Sequence, residues 1–240
     1  MKIAVLTHLF YADTLNDLKL YLGNLKGFQT QLYFSVCAGH SYTNALVQTI
    51  KNEFEGSLVI KTTNVGKDIG GKLAMVHLFL MAQDTSDLIL FMHDKKSPHT
   101  TSGANWRSDL LSIAAEEKLA TVEHIFSCQE QVGIVASKKF ILNEYNQQNK
   151  SFTTTNDFLL KKLRETYGLK NTTFEFVGGT MFWIRSKIVR EFFLKHSPLK
   201  IRESLEVGNV LDHEKGTYTH SWERLLSWIA LDQGYKIVGI

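Results

Sequence analysis

His93, Asp94, Lys95, Lys96, Ser97 and His99 stand almost side by side, with Trp106 and Arg107 a little further on. Two adjacent lysines beside two imidazoles suit an anionic ligand such as a diphosphate, since each ammonium is a compact charge for phosphate oxygens. The same run also fits a solvated basic turn. What precedes it bears on the choice. Leu88 to Met92 is an uninterrupted apolar run, too short for a helix, which reads as a strand buried on both faces of a parallel sheet. In open α/β sheets ligands sit outside the carboxyl ends of the strands, and His93 begins such an end.

Two other stretches carry glycines at telling places. Thr63-Asn64-Val65-Gly66-Lys67-Asp68-Ile69-Gly70-Gly71 reads as a loop opening a helix from about Lys72 to Met81. Its glycines allow a close backbone approach, and the helix N-terminus presents unpaired N–H groups to anions. An ordinary turn, with Asp68 as an N-cap, fits the same residues. In F-E-F-V-G-G-T-M-F-W-I-R, Phe174 to Arg185, the pair Gly178-Gly179 interrupts two apolar strand runs, which calls for a tight turn or a close approach.

The elements that must position these groups alternate. Lys2 to Leu6, Gln31 to Cys37 and Leu58 to Thr62 read as strands, separated by helices over Asp13 to Leu25 and Ser41 to Phe54. That succession asks for a parallel sheet with right-handed crossovers. Further on, the pattern predicts a long helix over Ser108 to Phe126, a strand over Val132 to Ala136, and helices over Asn156 to Tyr167 and from Ser186 to about Lys195. A final helix opens at His220-Ser221-Trp222-Glu223-Arg224, and Gly234-Tyr235 leads into a last strand.

With 240 residues, few prolines and no linker-like tract, the expectation is a single domain over 1–240. A net charge of +3 permits an anionic small molecule or membrane surface but falls short of a nucleic-acid footprint, so no nucleic-acid partner is expected. The start reads as a first strand and not a signal peptide, and no apolar stretch approaches the roughly 20 residues a spanning helix needs. Cys37 and Cys128 show neither metal nor framework spacing. Both are expected to be buried thiols in a reducing cytoplasm.

Four blocks in the order found here resemble the rhamnan synthesis protein F family. They are Asn64-x-Gly66-x-Asp68-Ile69-Gly70; His93-x-Lys95-Lys96-Ser97-Pro98-His99 with Trp106-Arg107; Gly179-x-Met181-Phe182-Trp183-x-Arg185; and Gly216-Thr217 with His220 and Glu223-Arg224. The resemblance implies a GT-A-like nucleotide-diphospho-sugar transferase fold, α/β with a mostly parallel central sheet flanked by helices. About 1–110 would carry the nucleotide, and about 111–240 the acceptor and the catalytic groups. It implies transfer of a sugar from a nucleotide diphosphate donor, dTDP-rhamnose or a UDP-hexose, to a glycan or lipid-linked glycan acceptor. The protein would be cytoplasmic, with its basic surface able to touch the inner membrane face. A catalytically silent sugar-nucleotide or glycan-binding module, and phosphosugar transfer, remain alternatives.

The family's chemistry needs a diphosphate cradle, a base for the acceptor hydroxyl, and positioning of both. Many transferases of this fold hold a divalent metal on an Asp-x-Asp pair after the central strand. Here that place reads His93-Asp94-Lys95-Lys96, with one carboxylate, and the resemblance implies an uncharged residue in most relatives where Asp94 stands. The expectation is therefore catalysis without a required metal, Lys95 and Lys96 with His93 or His99 stabilising the leaving diphosphate. Asp94 with His93 as ligands of Mg²⁺ or Mn²⁺ is the fallback. The resemblance also makes Glu223 the candidate base, Asp212 its runner-up and His220 a companion one turn before Glu223. Arg224 is placed against a carboxylate or a phosphate. Asn64, Gly66, Asp68 and His8 are placed near the nucleotide, Gly178 and Gly179 at the sugar, and Trp222 as a stacking surface for the acceptor. Glu223 as a mere first-turn acid serving the helix dipole is the competing reading.

Overall fold

The computed structural model describes residues 1–94 and 103–240. Lys95, Lys96 and His99, and the Ser97-Pro98 between them, lie outside the described residues. The first half alternates as the apolar pattern requires: β1 (Lys2–Leu9), α1 (Leu15–Asn24), β2 (Gln29–Cys37), α2 (Thr43–Glu53), β3 (Leu58–Thr62), α3 (Lys67–Met81) and β4 (Leu88–His93). Then come α4 (Gly103–Leu111), α5 (Glu116–Cys128), β5 (Val132–Ala136), the short strands β6 (Ile141–Asn143), β7 (Tyr145–Asn146) and β8 (Ser151–Phe152), and α6 (Asp157–Tyr167). The chain closes with β9 (Glu175–Val177), β10 (Phe182–Arg185), α7 (Ser186–Phe193), α8 (Pro198–Glu203), α9 (Tyr218–Asp232) and β11 (Lys236–Gly239).

Seven strands form one sheet in the order β11-β5-β10-β4-β1-β2-β3. Only β10 runs against its neighbours, β4 and β5, so the sheet is α/β and mostly parallel, as expected. Every residue of β4 is buried, which is why its sequence is continuously apolar from Leu88 to Met92. Alternate strand residues feed two cores: Ala4, Leu6 and Phe91 pack with α3, α7 and α9 on one face, and Ile3, Val5 and Leu90 with α1 and α5 on the other. The β1/β4 register sets His8 opposite His93, and the β1/β2 register sets His8 opposite Ser35. Three polar residues thus meet at the carboxyl end of the three central strands.

Three local expectations are corrected. The helix foreseen over Ser108 to Phe126 is two helices, broken at Ala115, whose ψ of 141° is extended. There the carbonyls of Ile113 and Ala114 accept from Trp183 Nε1 and Asn24 Nδ2 at 3.0 Å each, bonds to distant side chains that replace helical ones. Cys128 is exposed, and only Cys37 is buried. The third correction concerns α3, which starts at Lys67 and so takes Gly70 and Gly71 into its first turns. A Cβ at Gly70 would stand 1.7 Å from the carbonyl oxygen of Val65, and one at Gly71 would stand 2.1 Å from Nδ1 of His8. These glycines serve the seating of a helix on the sheet and not a loose loop.

Gly71→Ala should therefore force α3 away from β1 and cost about 1–3 kcal/mol. In a chain of this size that lowers Tm by about 3–10 °C. Gly23→Ala, in α1 with nothing within 4 Å of the new carbon, is the control and should not lower Tm. Thermal unfolding of both variants checks the difference.

Candidate active site

A cavity of about 110 Å³ opens between the first turns of α3 and α9, beyond the end of β4. Lys67, Asp68 and Ile69 form its α3 wall, Thr219, His220 and Glu223 its α9 wall, and His93 and Gly179 its floor. Each wall is held by identifiable bonds. Gly66 and Lys67 are both left-handed, with φ of 73° and 51°, a turn that brings the first turn of α3 to the cavity. Gly66 N donates to Glu206 O at 2.8 Å. The carboxylate of the same Glu206 accepts from Tyr218 N at 2.6 Å, Thr219 N at 2.9 Å and Thr219 Oγ1 at 2.7 Å. One residue therefore ties the start of α3 to the start of α9. Burial works against ionisation of Glu206, but these bonds hold its pKa below the usual range.

Behind the floor lies a buried polar cluster. Lys72 Nζ reaches Asp68 Oδ2 at 2.8 Å, Thr180 Oγ1 at 2.5 Å and His93 Nδ1 at 3.0 Å, and Thr180 Oγ1 reaches Asp68 Oδ2 at 2.7 Å. Burial would raise the Asp68 carboxyl, but the charge of Lys72, the nearby His93 and the bonds from Lys72 and Thr180 hold it well below the ordinary range. Asp68 is thus ionised and faces the cavity. Thr180 has a φ of 51°, a strained setting for a β-branched residue that the surrounding bonds must maintain.

On the opposite wall, Glu223 Oε1 accepts from Gly179 N at 2.7 Å and Oε2 from Arg224 Nη1 at 2.8 Å. The Arg224 guanidinium also forks onto Glu144, at 2.6 and 3.0 Å, so a cation is fixed beside the Glu223 carboxylate. His220 Nδ1 lies 2.6 Å from Thr217 Oγ1 and 4.0 Å from Asp212 Oδ2. Burial pushes the His220 pKa down despite Asp212, so the ring is neutral near pH 7. Asp212 accepts from Asn156 Nδ2 at 2.7 Å. Burial opposes its ionisation, but that bond and His220 hold its pKa low.

Asp68, His93, Gly179, His220 and Glu223 were all anticipated and share this one cavity, although they come from positions far apart in the chain. Gly66 shapes the wall, and Asp212 stands behind His220. Asn64 faces the 206–209 loop, where its carbonyl accepts from Gly208 N at 2.7 Å. Gly178 turns toward Leu142, whose Cδ1 lies 2.9 Å from where a Cβ would be. His8, only 3% exposed, is covered by Gly71 and bonded to Ser35 Oγ at 3.0 Å. Asp94 Oδ2 accepts from Phe10 N, Tyr11 N and Thr14 Oγ1 at 2.8, 2.5 and 3.0 Å, pinning the turn after β1. Burial still pushes this carboxyl up to about 7. Arg224 meets the carboxylates of Glu223 and Glu144, the carboxylate half of its expected role. Trp222 is a correction: expected to face an acceptor, it is fully buried against Tyr167, Phe192 and Phe193. Its helix turns it onto these aromatic rings, while His220 and Glu223 face the cavity. Lys67, Lys72, Thr180, Thr219 and Glu144 were missed. For Lys67 and Thr180 the signal was their place directly after a glycine.

The sequence profile of the family described as "Rhamnan synthesis protein F" matches residues 1–235. The chain belongs to this family. It is 24% identical to the uncharacterized protein WxcX of Xanthomonas campestris pv. campestris, in strain B100 and equally in strain ATCC 33913. Each match covers 98% of this chain and 32% of the relative, so the chain spans about a third of the length of these relatives. Among solved structures it is similar to the mannosyltransferase PcManGT from Pyrobaculum calidifontis in complex with GDP-Man and Mn²⁺, with a TM-score of 0.48 at 13% identity over 99% of this chain and 54% of that one. It is also similar to residues 1–349 of S. aureus TarS in complex with UDP, with a TM-score of 0.42 at 12% identity over 97% and 65%.

A pH prediction follows from His8, whose pKa burial pushes down to about 4. The unfolded chain protonates this ring below about 6.5 and the native chain only below about 4, so unfolding takes up a proton between those values. Stability should then fall as pH drops through that window, by about 2 kcal/mol between pH 7 and pH 5. His8→Asn should flatten the dependence by that amount in denaturant titrations at the two pH values.

Proposed function

We propose that this chain is a glycosyltransferase domain of the GT-A type. It moves a sugar, rhamnose or another hexose, from a nucleotide diphosphate to a hydroxyl of a growing cell-surface polysaccharide, with inversion. The observation that carries this reading is the cavity itself: one oriented carboxylate, Glu223, faces an ionised Asp68 and His93 across a space beyond the carboxyl end of β4. Glu223 is the base. Its two oxygens are each fixed by one donor, so its orientation is set before an acceptor arrives and each oxygen can still accept an acceptor proton. Attack of the acceptor oxygen on the anomeric carbon breaks the bond to the diphosphate, whose charge needs donors. The first turn of α3, with Lys67 on the cavity wall, offers a helix N-terminus and an ammonium. Lys95 and Lys96 follow His93-Asp94 in sequence and are the further cations of this reading. Asp68, an acceptor only, suits hydroxyls of the sugar or ribose.

Past the ends of β1 and β2, Phe10, Tyr11, His40 and Tyr42 make a half-buried aromatic group, His40 and Tyr42 stacked at 4.9 Å. A nucleobase has the flat face such a group accepts. A divalent metal on His93 and Asp94 does not fit the donors observed. His93 Nδ1 is bonded to Lys72, Asp94 Oδ2 already accepts three bonds, and no cluster of three ligands occurs among the described residues. No helix among the described residues is long and apolar enough to cross a membrane. We place the reaction at the cytoplasmic face, where a glycan on a lipid carrier would meet the basic chain.

The test is calorimetry with dTDP-rhamnose, UDP-glucose, UDP-galactose and GDP-mannose, each in EDTA and in Mn²⁺, followed by turnover with the donor that binds. Glu223→Gln should keep donor affinity within a few fold and lower kcat by about 10²–10⁴-fold, the usual worth of a general base. Donor binding without any transfer or slow hydrolysis by the wild type would instead identify a silent binding module. A Glu223→Gln enzyme with wild-type turnover would remove this residue from the chemistry.

A further inference from the structure

Lysine side chains normally leave their charge in water, yet Lys72 is 1% exposed. A buried ammonium is tolerated only where its charge is paired and its protons are accepted. Its three protons have three acceptors, from three separate elements: Asp68 Oδ2 one turn earlier on α3, His93 Nδ1 at the end of β4, and Thr180 Oγ1 in the turn before β10. We propose that Lys72 is the resident cation of this site, a positioning residue that fixes the imidazole of His93 with its proton on Nε2.

With Lys72 as an ammonium, the proton count of these bonds leaves one arrangement. An ammonium has no lone pair, so at 3.0 Å His93 Nδ1 must accept from Lys72, and the ring is neutral with its hydrogen on Nε2. Thr180 Oγ1 accepts from Lys72 and therefore gives its own hydrogen to Asp68 Oδ2. Without Lys72, Asp68 Oδ2, 3.7 Å from Nδ1, is an acceptor close to this ring. That carboxylate would draw the hydrogen to Nδ1 and reverse the ring's polarity. Lys72 thus decides whether His93, on the cavity floor, offers its other nitrogen as a donor or as an acceptor. A donor is the polarity needed beside a developing anion, and this last step rests on the transferase reading. The tautomer itself does not.

The experiment is ¹H–¹⁵N correlation of the histidine rings in the whole chain at pH 7.5, with His93 assigned by its loss in His93→Gln. The wild type should show His93 as the Nε2–H tautomer with a hydrogen-bonded Nδ1. Lys72→Met should convert it to the Nδ1–H or doubly protonated form, and in Lys72→Ala added propylamine, which replaces the missing chain and charge, should restore Nε2–H. A wild-type ring protonated on Nδ1, or a folded Lys72→Met variant with an unchanged tautomer, overturns the proposal. If the variants do not fold, the wild-type spectrum decides alone. No donor or turnover is required, so a protein without transferase activity could still confirm the role of Lys72, and an active one could still refute it.

Discussion

At Gly71 one added carbon would fall 2.1 Å from the imidazole of His8, and at Gly70 one would fall 1.7 Å from a carbonyl oxygen. The contact those absent carbons permit, α3 lying directly on the end of β1, is the constraint from which the site follows. It places Asp68 and Lys72 one turn apart within reach of His93, which the β1/β4 register has set beside His8. A helix seated even an ångström further out would leave the Lys72 ammonium buried without its acceptors, an arrangement far more costly than the strain at Gly66, Lys67 and Thr180. The left-handed turns are consequences of the seating.

The charges around the cavity are settled in pairs. Asp68 has Lys72, Glu223 shares Arg224 with Glu144, and Glu206 spends its carboxylate on the first turn of α9. This last arrangement distinguishes the two helix ends that face the cavity. The first amides of α9 are capped by Glu206 and Thr217, so that helix presents side chains, and the acidic Glu223 among them. On α3 the first turn itself forms a wall of the cavity, with Lys67 beside it. The two sides of the cavity therefore differ: Lys67 and the ionised Asp68 stand on the α3 side, and the oriented Glu223 carboxylate, with Arg224 beside it, on the α9 side.

The alternation of strands and helices was legible because burial on two faces, on one face or on none leaves distinct apolar periods, as β4, buried throughout, and α6, buried only at Leu160 and Leu163, illustrate. The five cavity residues were legible for a different reason: their types suit the chemistry and the resemblance supplied their order. Lys72 was not, because a lysine in a helix reads as part of a solvated face, and only the packing of three elements shows that it points inward. Trp222 failed in the opposite direction. Its polar neighbours in sequence point away from it on the helix, and adjacency along the chain says nothing about which residues share a face. The break at Ala115 depends on Trp183 and Asn24, whose side chains capture two carbonyls from afar, and no window of local sequence contains that information.

Glu223 and Asp212 are both carboxylates near His220, and their surroundings separate them. Asp212 accepts from Asn156 and faces the His220 ring, which keeps its pKa low and makes it a weak base; it does not line the cavity. Glu223 lines the cavity with both oxygens oriented, by a backbone amide on one side and a guanidinium on the other. The amide belongs to Gly179, whose φ of 76° turns its N–H toward α9 and whose successor Thr180 belongs to the Lys72 cluster. The turn at 178–180 therefore couples the two sides of the site: the strain that places Thr180 on Lys72 also places Gly179 on Glu223. A substitution that relaxes that turn should disturb the His93 side and the Glu223 side together, whereas loss of Asn156 should loosen Asp212 and His220 and leave Asp68 in place.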